Sequence, residues 1–79
     1  MERIPITSNN LKSVGYDAET ETLEIEFKNG DIYQYTRVSE YVYISLMNAT
    51  SKGSYFAKNI RNNRNYGCVQ VWPISRQLR

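Results

Sequence analysis

Residues 22–36 read TLEIEFKNGDIYQYT, and the turn at their centre decides the fold. Leu23, Ile25 and Phe27 alternate with Glu24, Glu26 and Lys28, the two-residue period of a half-buried strand. Asn29-Gly30 follows, a strong hairpin signal, and residues 31–36 form the returning strand. Two registers are open. A two-residue turn at Asn29-Gly30 pairs Phe27 with Ile32 and Glu26 with Tyr33, which puts Tyr33 and Tyr35 on the carboxylate face. A three-residue loop, Lys28-Asn29-Gly30 with Gly30 left-handed, pairs Ile25 with Tyr33 and Leu23 with Tyr35, which puts both tyrosines on the core face. The choice moves every side chain of the strand across the sheet. A chain this short needs aromatic core volume, which favours the second register.

Outward from the hairpin, residues 11–17 (LKSVGYD) read as a strand and residues 17–21 as a polar turn. The first half is thus a three-stranded antiparallel meander. The second half turns helical. Ser39 is placed as an N-cap, with Glu40 favouring the positive helix end. Val42, Leu46 and Ala49 form an apolar stripe over residues 40–49, flanked by Tyr43 and Met47. Residues 50–54 break this helix, and Gly53 offers a positive φ there. A second short helix over about residues 54–62 places Phe56 and Ile60 on one face. Asn62, Asn63, Asn65 and Gly67 make a loop. Cys68–Trp72 alternates again and stops at Pro73, as a fourth, edge strand does. Residues 75–79 are expected to fray. The order predicts one α+β domain over residues 1–79, a three-stranded meander with two helices packed on one face.

Composition removes several kinds of chemistry. The 79 residues contain no histidine and one cysteine, Cys68. A Cys/His zinc site, a Ser-His or Cys-His nucleophile pair and an intrachain disulfide are therefore excluded. No enzyme activity, metal or cofactor is expected. Glu24 and Glu26 read as solvated strand surface rather than as an acid–base pair. Cys68 reads as a small buried apolar residue, and Trp72 as a packing plug, or as the mark of an interface if exposed. No apolar run approaches the ~20 residues of a membrane helix. A lone cysteine and no signal peptide point to the cytoplasm.

Charge is divided unevenly. Residues 1–40 carry four basic and eight acidic side chains, a net of −4, whereas residues 41–79 carry six basic and no acidic ones, a net of +6. A one-signed half attracts anionic partners, or the acidic half of a second copy. Lys58, Arg61 and Arg64 are spaced by three, which on a helix makes one row. Asn59, Asn62, Asn63 and Asn65 interleave amides, and Tyr55 and Tyr66 stand at the two ends. This is the inventory of a nucleic-acid surface, and equally of an ordinary solvated helix face. Ser51-Lys52-Gly53-Ser54 precedes the second helix and suits either an anion-binding turn or a helix–helix turn with Ser51 or Ser54 as N-cap. It lacks P-loop spacing.

The run SNNLKSVGY over residues 8–16, the Leu23-x-Ile25-x-Phe27-x-x-Gly30-x-x-Tyr33-x-Tyr35 pattern, Ala49-x-Ser51-x-Gly53-x-Tyr55-Phe56 and Ile60-Arg61 together resemble the KTSC domain. That domain is found at the C-terminus of some lysyl-tRNA synthetases and alone in short bacterial and phage proteins. The resemblance covers about residues 8–64. Asn9 stands where a second serine is expected, and residues 66–79 are an extension without a counterpart. The resemblance implies an RNA-associated role. The expectation is a non-enzymatic nucleic-acid-binding module, for single-stranded RNA or tRNA before DNA. Lys52, Lys58, Arg61 and Arg64 would meet phosphates, Tyr33, Tyr35 and Tyr55 would stack bases, and Ser51, Gly53 and Ser54 would hold an anion. The alternative is a domain of phage origin that binds an acidic protein partner, a second copy of itself, or a small anion or nucleotide.

Overall fold

The hairpin takes the three-residue loop. In the computed structural model, which describes residues 1–73, the Phe27 N–H donates to the Asp31 carbonyl and the Gly30 N–H to the Phe27 carbonyl, each at 2.9 Å. Gly30 sits at φ 99°, a backbone region closed to most side chains. Strand pairing follows as Ile25 with Tyr33 and Leu23 with Tyr35. Both tyrosines therefore face the helices. Tyr35 meets Phe56 edge-on at 5.5 Å, and Tyr33 meets Phe27 at 5.7 Å.

The elements run β1 (Ile4–Pro5), β2 (Leu11–Asp17), β3 (Thr22–Phe27), β4 (Ile32–Thr36), α1 (Glu40–Asn48), α2 (Lys52–Asn59) and β5 (Gly67–Trp72). All five strands form one antiparallel sheet in sequence order. The α+β class and the two helices are as expected. The sheet is larger than the expected three strands with one edge strand, because β1 adds a second edge. Two residues are too few for any periodicity to announce a strand. Its pairing, Ile4 with Val14 and Pro5 with Ser13, explains Gly15: a Cβ there would lie 2.6 Å from the Glu2 carbonyl oxygen.

β1 also overturns the reading of Glu24 as solvated. Arg3, which immediately precedes β1, is salt-bridged to Glu24, and Gln34 Nε2 donates to the same carboxylate at 2.7 Å. Glu24 is only 6% exposed. Arg3 Nε also donates to Ser13 Oγ at 3.0 Å, and Ser13 donates on to Glu26 at 2.7 Å. The sheet face away from the helices is thus a connected polar network. Buried carboxylates persist where they are paired and hydrogen-bonded.

On the other face, Leu11, Val14, Leu23, Ile25, Leu46 and Phe56 form the buried core with Tyr35, Val38 and Ile60. Arg37 in the left-handed region (φ 66°) turns the chain from β4 towards α1. Val38 is pinned there by its N–H to the Glu21 carbonyl at 2.9 Å and by the Tyr16 hydroxyl donating to its carbonyl at 2.5 Å. Ser39 caps α1 as expected, accepting from the Val42 N–H, and Tyr16 stacks on Tyr43 at 4.8 Å.

Three details of the second half differ from expectation. α2 starts at Lys52, capped by Ser51 accepting from the Ser54 N–H, so Gly53 lies inside the first turn and not at a positive φ. It is glycine because a Cβ would lie 2.8 Å from Asn10 Oδ1. α2 also ends early. Ile60 leaves the helical region (φ −120°, ψ −46°), and the Ile60 and Arg61 N–H groups both donate to the Phe56 carbonyl at 2.9 Å. Arg61 and Arg64 therefore sit in turns beyond the helix, not in one helical row with Lys58. Finally, Cys68 is exposed, and Trp72 is 54% exposed, not a plug. β5 is the last strand of the sheet, so nothing in the sheet lies beyond it to cover them. The expected frayed end, residues 75–79, lies outside the described residues.

Candidate functional site

Because α2 stops at Asn59, the hairpin end of the helix-side sheet face stays open. A cleft of about 510 Å³ forms there. Phe27, Tyr33 and Tyr35 line it from β3 and β4. Lys28, Asn29 and Asp31 come from the hairpin loop, Asn9 and Asn10 from the loop before β2. Arg61 and Asn62 come from the turn after α2, and Cys68 from β5. Four chain segments converge, each of which reads locally as a turn or a strand end.

The aromatic groups differ in what they offer. Tyr35 is only 4% exposed and belongs to the core, whereas Phe27 and Tyr33 are partly exposed rings packed against it. Burial pushes the Tyr35 phenol above its ordinary pKa. The neighbouring Cys68 adds to this, and Arg61 opposes it. Tyr35 thus stays a neutral phenol, and Tyr33 is the tyrosine ring a ligand can reach. Arg61 and Lys28 are exposed and pair with no carboxylate among the described residues.

A second hollow of about 720 Å³ shares Asn9, Asn10 and Lys28 with the cleft and extends it to Ser51, Lys52, Gly53 and Ser54 at the start of α2. One groove therefore joins the two candidate features that stand far apart in the chain, the Tyr-x-Tyr strand and the serine–lysine turn. The Lys52 ammonium donates to the Ala49 carbonyl at 3.2 Å, so it also satisfies the end of α1.

Of the residues singled out from sequence, Tyr33, Tyr35, Arg61, Ser51, Lys52, Gly53 and Ser54 line this groove. Lys58 and Arg64 are exposed but line neither hollow, and Tyr55 packs against the core. Sequence reasoning did not single out Phe27, Asn9, Asn10, Lys28, Asn29 and Asp31 as site residues. Phe27 read as a core-facing strand residue, and the signal of the others was the density of amides and charges in two turns, 8–10 and 28–31, which are also ordinary turn residues. Among the described residues, no three His, Cys, Asp or Glu side chains are grouped to hold a metal ion. No helix among them is long and apolar enough to cross a membrane.

The chain is similar to known proteins over most of its length. It is 41% identical over 56 residues to an uncharacterised protein of Stutzerimonas stutzeri, covering 71% of this chain and 79% of that one. It is 43% identical over 56 residues to a lysine–tRNA ligase of Nostoc sp., covering 71% of this chain but only 10% of the ligase. The crystal structure of a KTSC domain protein from Yersinia pestis superimposes with a TM-score of 0.81 at 35% identity, covering 89% of this chain and 96% of that one. The family model of the KTSC domain matches residues 7–66, which takes in β2 to β4, both helices and every groove residue but Cys68. With the fold, the relatives and the family model in agreement, this chain belongs to the KTSC domain family.

Proposed function

We propose that this domain is a non-enzymatic, cytoplasmic binding module for single-stranded nucleic acid, RNA ahead of DNA. The observation that carries the reading is the open aromatic cleft with two cations unpaired by any described carboxylate. An aromatic ring beside a cationic, amide-rich rim is what unpaired bases on a phosphate chain require. A base would stack on Tyr33, and Arg61 and Lys28 would meet the flanking phosphates. The chain would continue along the groove past Asn10 towards Ser51, Gly53 and Ser54 at the start of α2. Lys52, Lys58 and Arg64 would contribute to the attracting field rather than to the cleft. The similarity to part of a lysine–tRNA ligase supports RNA over DNA.

The test is titration of a labelled single-stranded RNA at low and moderate salt. Tyr33→Ala is expected to weaken binding by about tenfold or more, since one base stack is worth roughly 1–3 kcal/mol. Arg61→Ala is expected to lower both affinity and the salt slope, by about one phosphate. Arg64→Ala should do much less, because Arg64 lies outside the groove. No binding at low salt would remove the reading.

A second reading has its own observation. β5 is an edge strand without a charged residue, and it exposes Val69 (58%) and Trp72 (54%). The opposite edge, β1, is blunted by its two-residue length and Pro5. Edges lacking such protection template further pairing. A second copy, paired β5 to β5, is the occupant this uncharged edge fits, since no like charges would meet. Light scattering would then give twice the 9.2 kDa chain mass, reverting to the monomer in Val69→Lys. A monomer at all concentrations would remove it.

A further inference from the structure

We propose that the cleft is selective for guanine, with Asp31 as the residue that reads the base; this rests on the nucleic-acid reading above. Asp31 is the one carboxylate lining a cleft otherwise made of aromatic rings, two cations, four asparagines and Cys68. Beside a phosphate chain a carboxylate is repulsive. Beside a base edge it is an acceptor with room for two donors.

The hairpin does not use that carboxylate. The turn is closed by the Asp31 carbonyl accepting from the Phe27 N–H and by the Asp31 N–H donating to Asn29 Oδ1, both at 2.9 Å. The side chain itself receives only Asn29 Nδ2, at 3.4 Å. It pairs with no cation among the described residues. Asp31 immediately precedes β4 and stands opposite Phe27, whose N–H donates to its carbonyl, two residues from the stacking ring of Tyr33. Both line the cleft.

The bases differ in what they present to such a group. Guanine carries two adjacent donors on its Watson–Crick edge, N1–H and the N2 amino group, which match the two oxygens of one carboxylate. Adenine and cytosine present one amino donor beside a ring acceptor. Uracil presents one N–H between two carbonyls, which a carboxylate repels. The order expected is guanine first and uracil last. The asparagine amides on the same rim are donors suited to the guanine O6.

The experiment compares short labelled oligouridines that carry a central guanosine, adenosine, cytidine or uridine, all at one salt concentration. The guanosine oligomer is expected to bind about tenfold tighter than oligouridine, as one bidentate base contact allows. Asp31→Asn and Asp31→Ala are expected to reduce that ratio to near one while keeping salt-sensitive binding and the wild-type melting temperature. Competition by guanosine and uridine monophosphates against the wild type needs no variant, and guanosine monophosphate is expected to compete better. Equal binding of all four oligomers, equal competition, or a guanine preference that survives in both variants would overturn the selectivity and leave the nucleic-acid reading standing. No binding of any oligomer at low salt would overturn both.

Discussion

Phe56→Ala is expected to lower the unfolding free energy by about 3–5 kcal/mol, the usual cost of deleting a buried phenylalanine. The ring is fully buried and is the largest side chain that α2 sends into the core. It touches Tyr35 edge-on at 5.5 Å and Phe27 at 5.7 Å, so its loss removes apolar burial and two aromatic contacts together. A domain of this size has roughly 4–12 kcal/mol of stability in all. The substitution should therefore remove a large share of that stability and shift the urea midpoint far down. Phe56→Leu, which keeps most of the volume, should lose clearly less. A loss below about 1 kcal/mol for Phe56→Ala would mean that α2 is not held by this ring. Since Phe27 and Tyr35 also line the cleft, the same ring supports the site from beneath.

Arg3→Ala is the second large effect. It strips the cation from Glu24, a carboxylate only 6% exposed on the sheet face away from the helices. Breaking a fully buried pair costs about 3–5 kcal/mol because the remaining charge stays desolvated. Here about 2 kcal/mol is expected, since the Arg3 side chain is 27% exposed and Gln34 still donates to Glu24. Arg3→Ala combined with Glu24→Gln should recover part of the loss, because no unpaired charge is then left buried. The double-mutant cycle, read by urea unfolding, measures that coupling. Strict additivity of the two substitutions would show that the pair contributes nothing as a pair. Binding of RNA should be unchanged in the folded fraction, because neither residue lines the groove.

Much of the fold could be read from short-range chemistry. The strands of residues 11–36, the caps at Ser39 and Ser51 and the apolar stripe of α1 all depend on neighbours a few residues away. The absence of histidine excluded whole classes of site before any fold was known. The order of the quoted motifs pointed to the KTSC domain, and the family match over residues 7–66 bears this out. Tyr33 was named from sequence with two faces open to it, and it lies on the favoured one, the core face. Arg61 was named in a helical row that it does not occupy, since α2 ends at Asn59.

The rest was decided by contacts between distant segments. The hairpin offered two registers of similar local merit, and the three-residue loop is the one that turns Tyr35 onto Phe56. Glu24 alternates outward like any solvated strand residue, until Arg3, 21 positions earlier, folds over it beside a strand too short to signal itself. Arg61 and Arg64 share one spacing, yet the termination of α2 at Ile60 sends one into the cleft and leaves the other outside. Periodicity and capping act over a few residues, so the sequence alone determined the α+β class and most of the elements, but not β1 or the bounds of α2. The cleft is assembled from four turns and strand segments joined by packing, by strand pairing of Tyr35 with Cys68 and by the Lys28 N–H donating to the Asn10 carbonyl, all contacts between distant residues, so the tertiary structure alone determined the site.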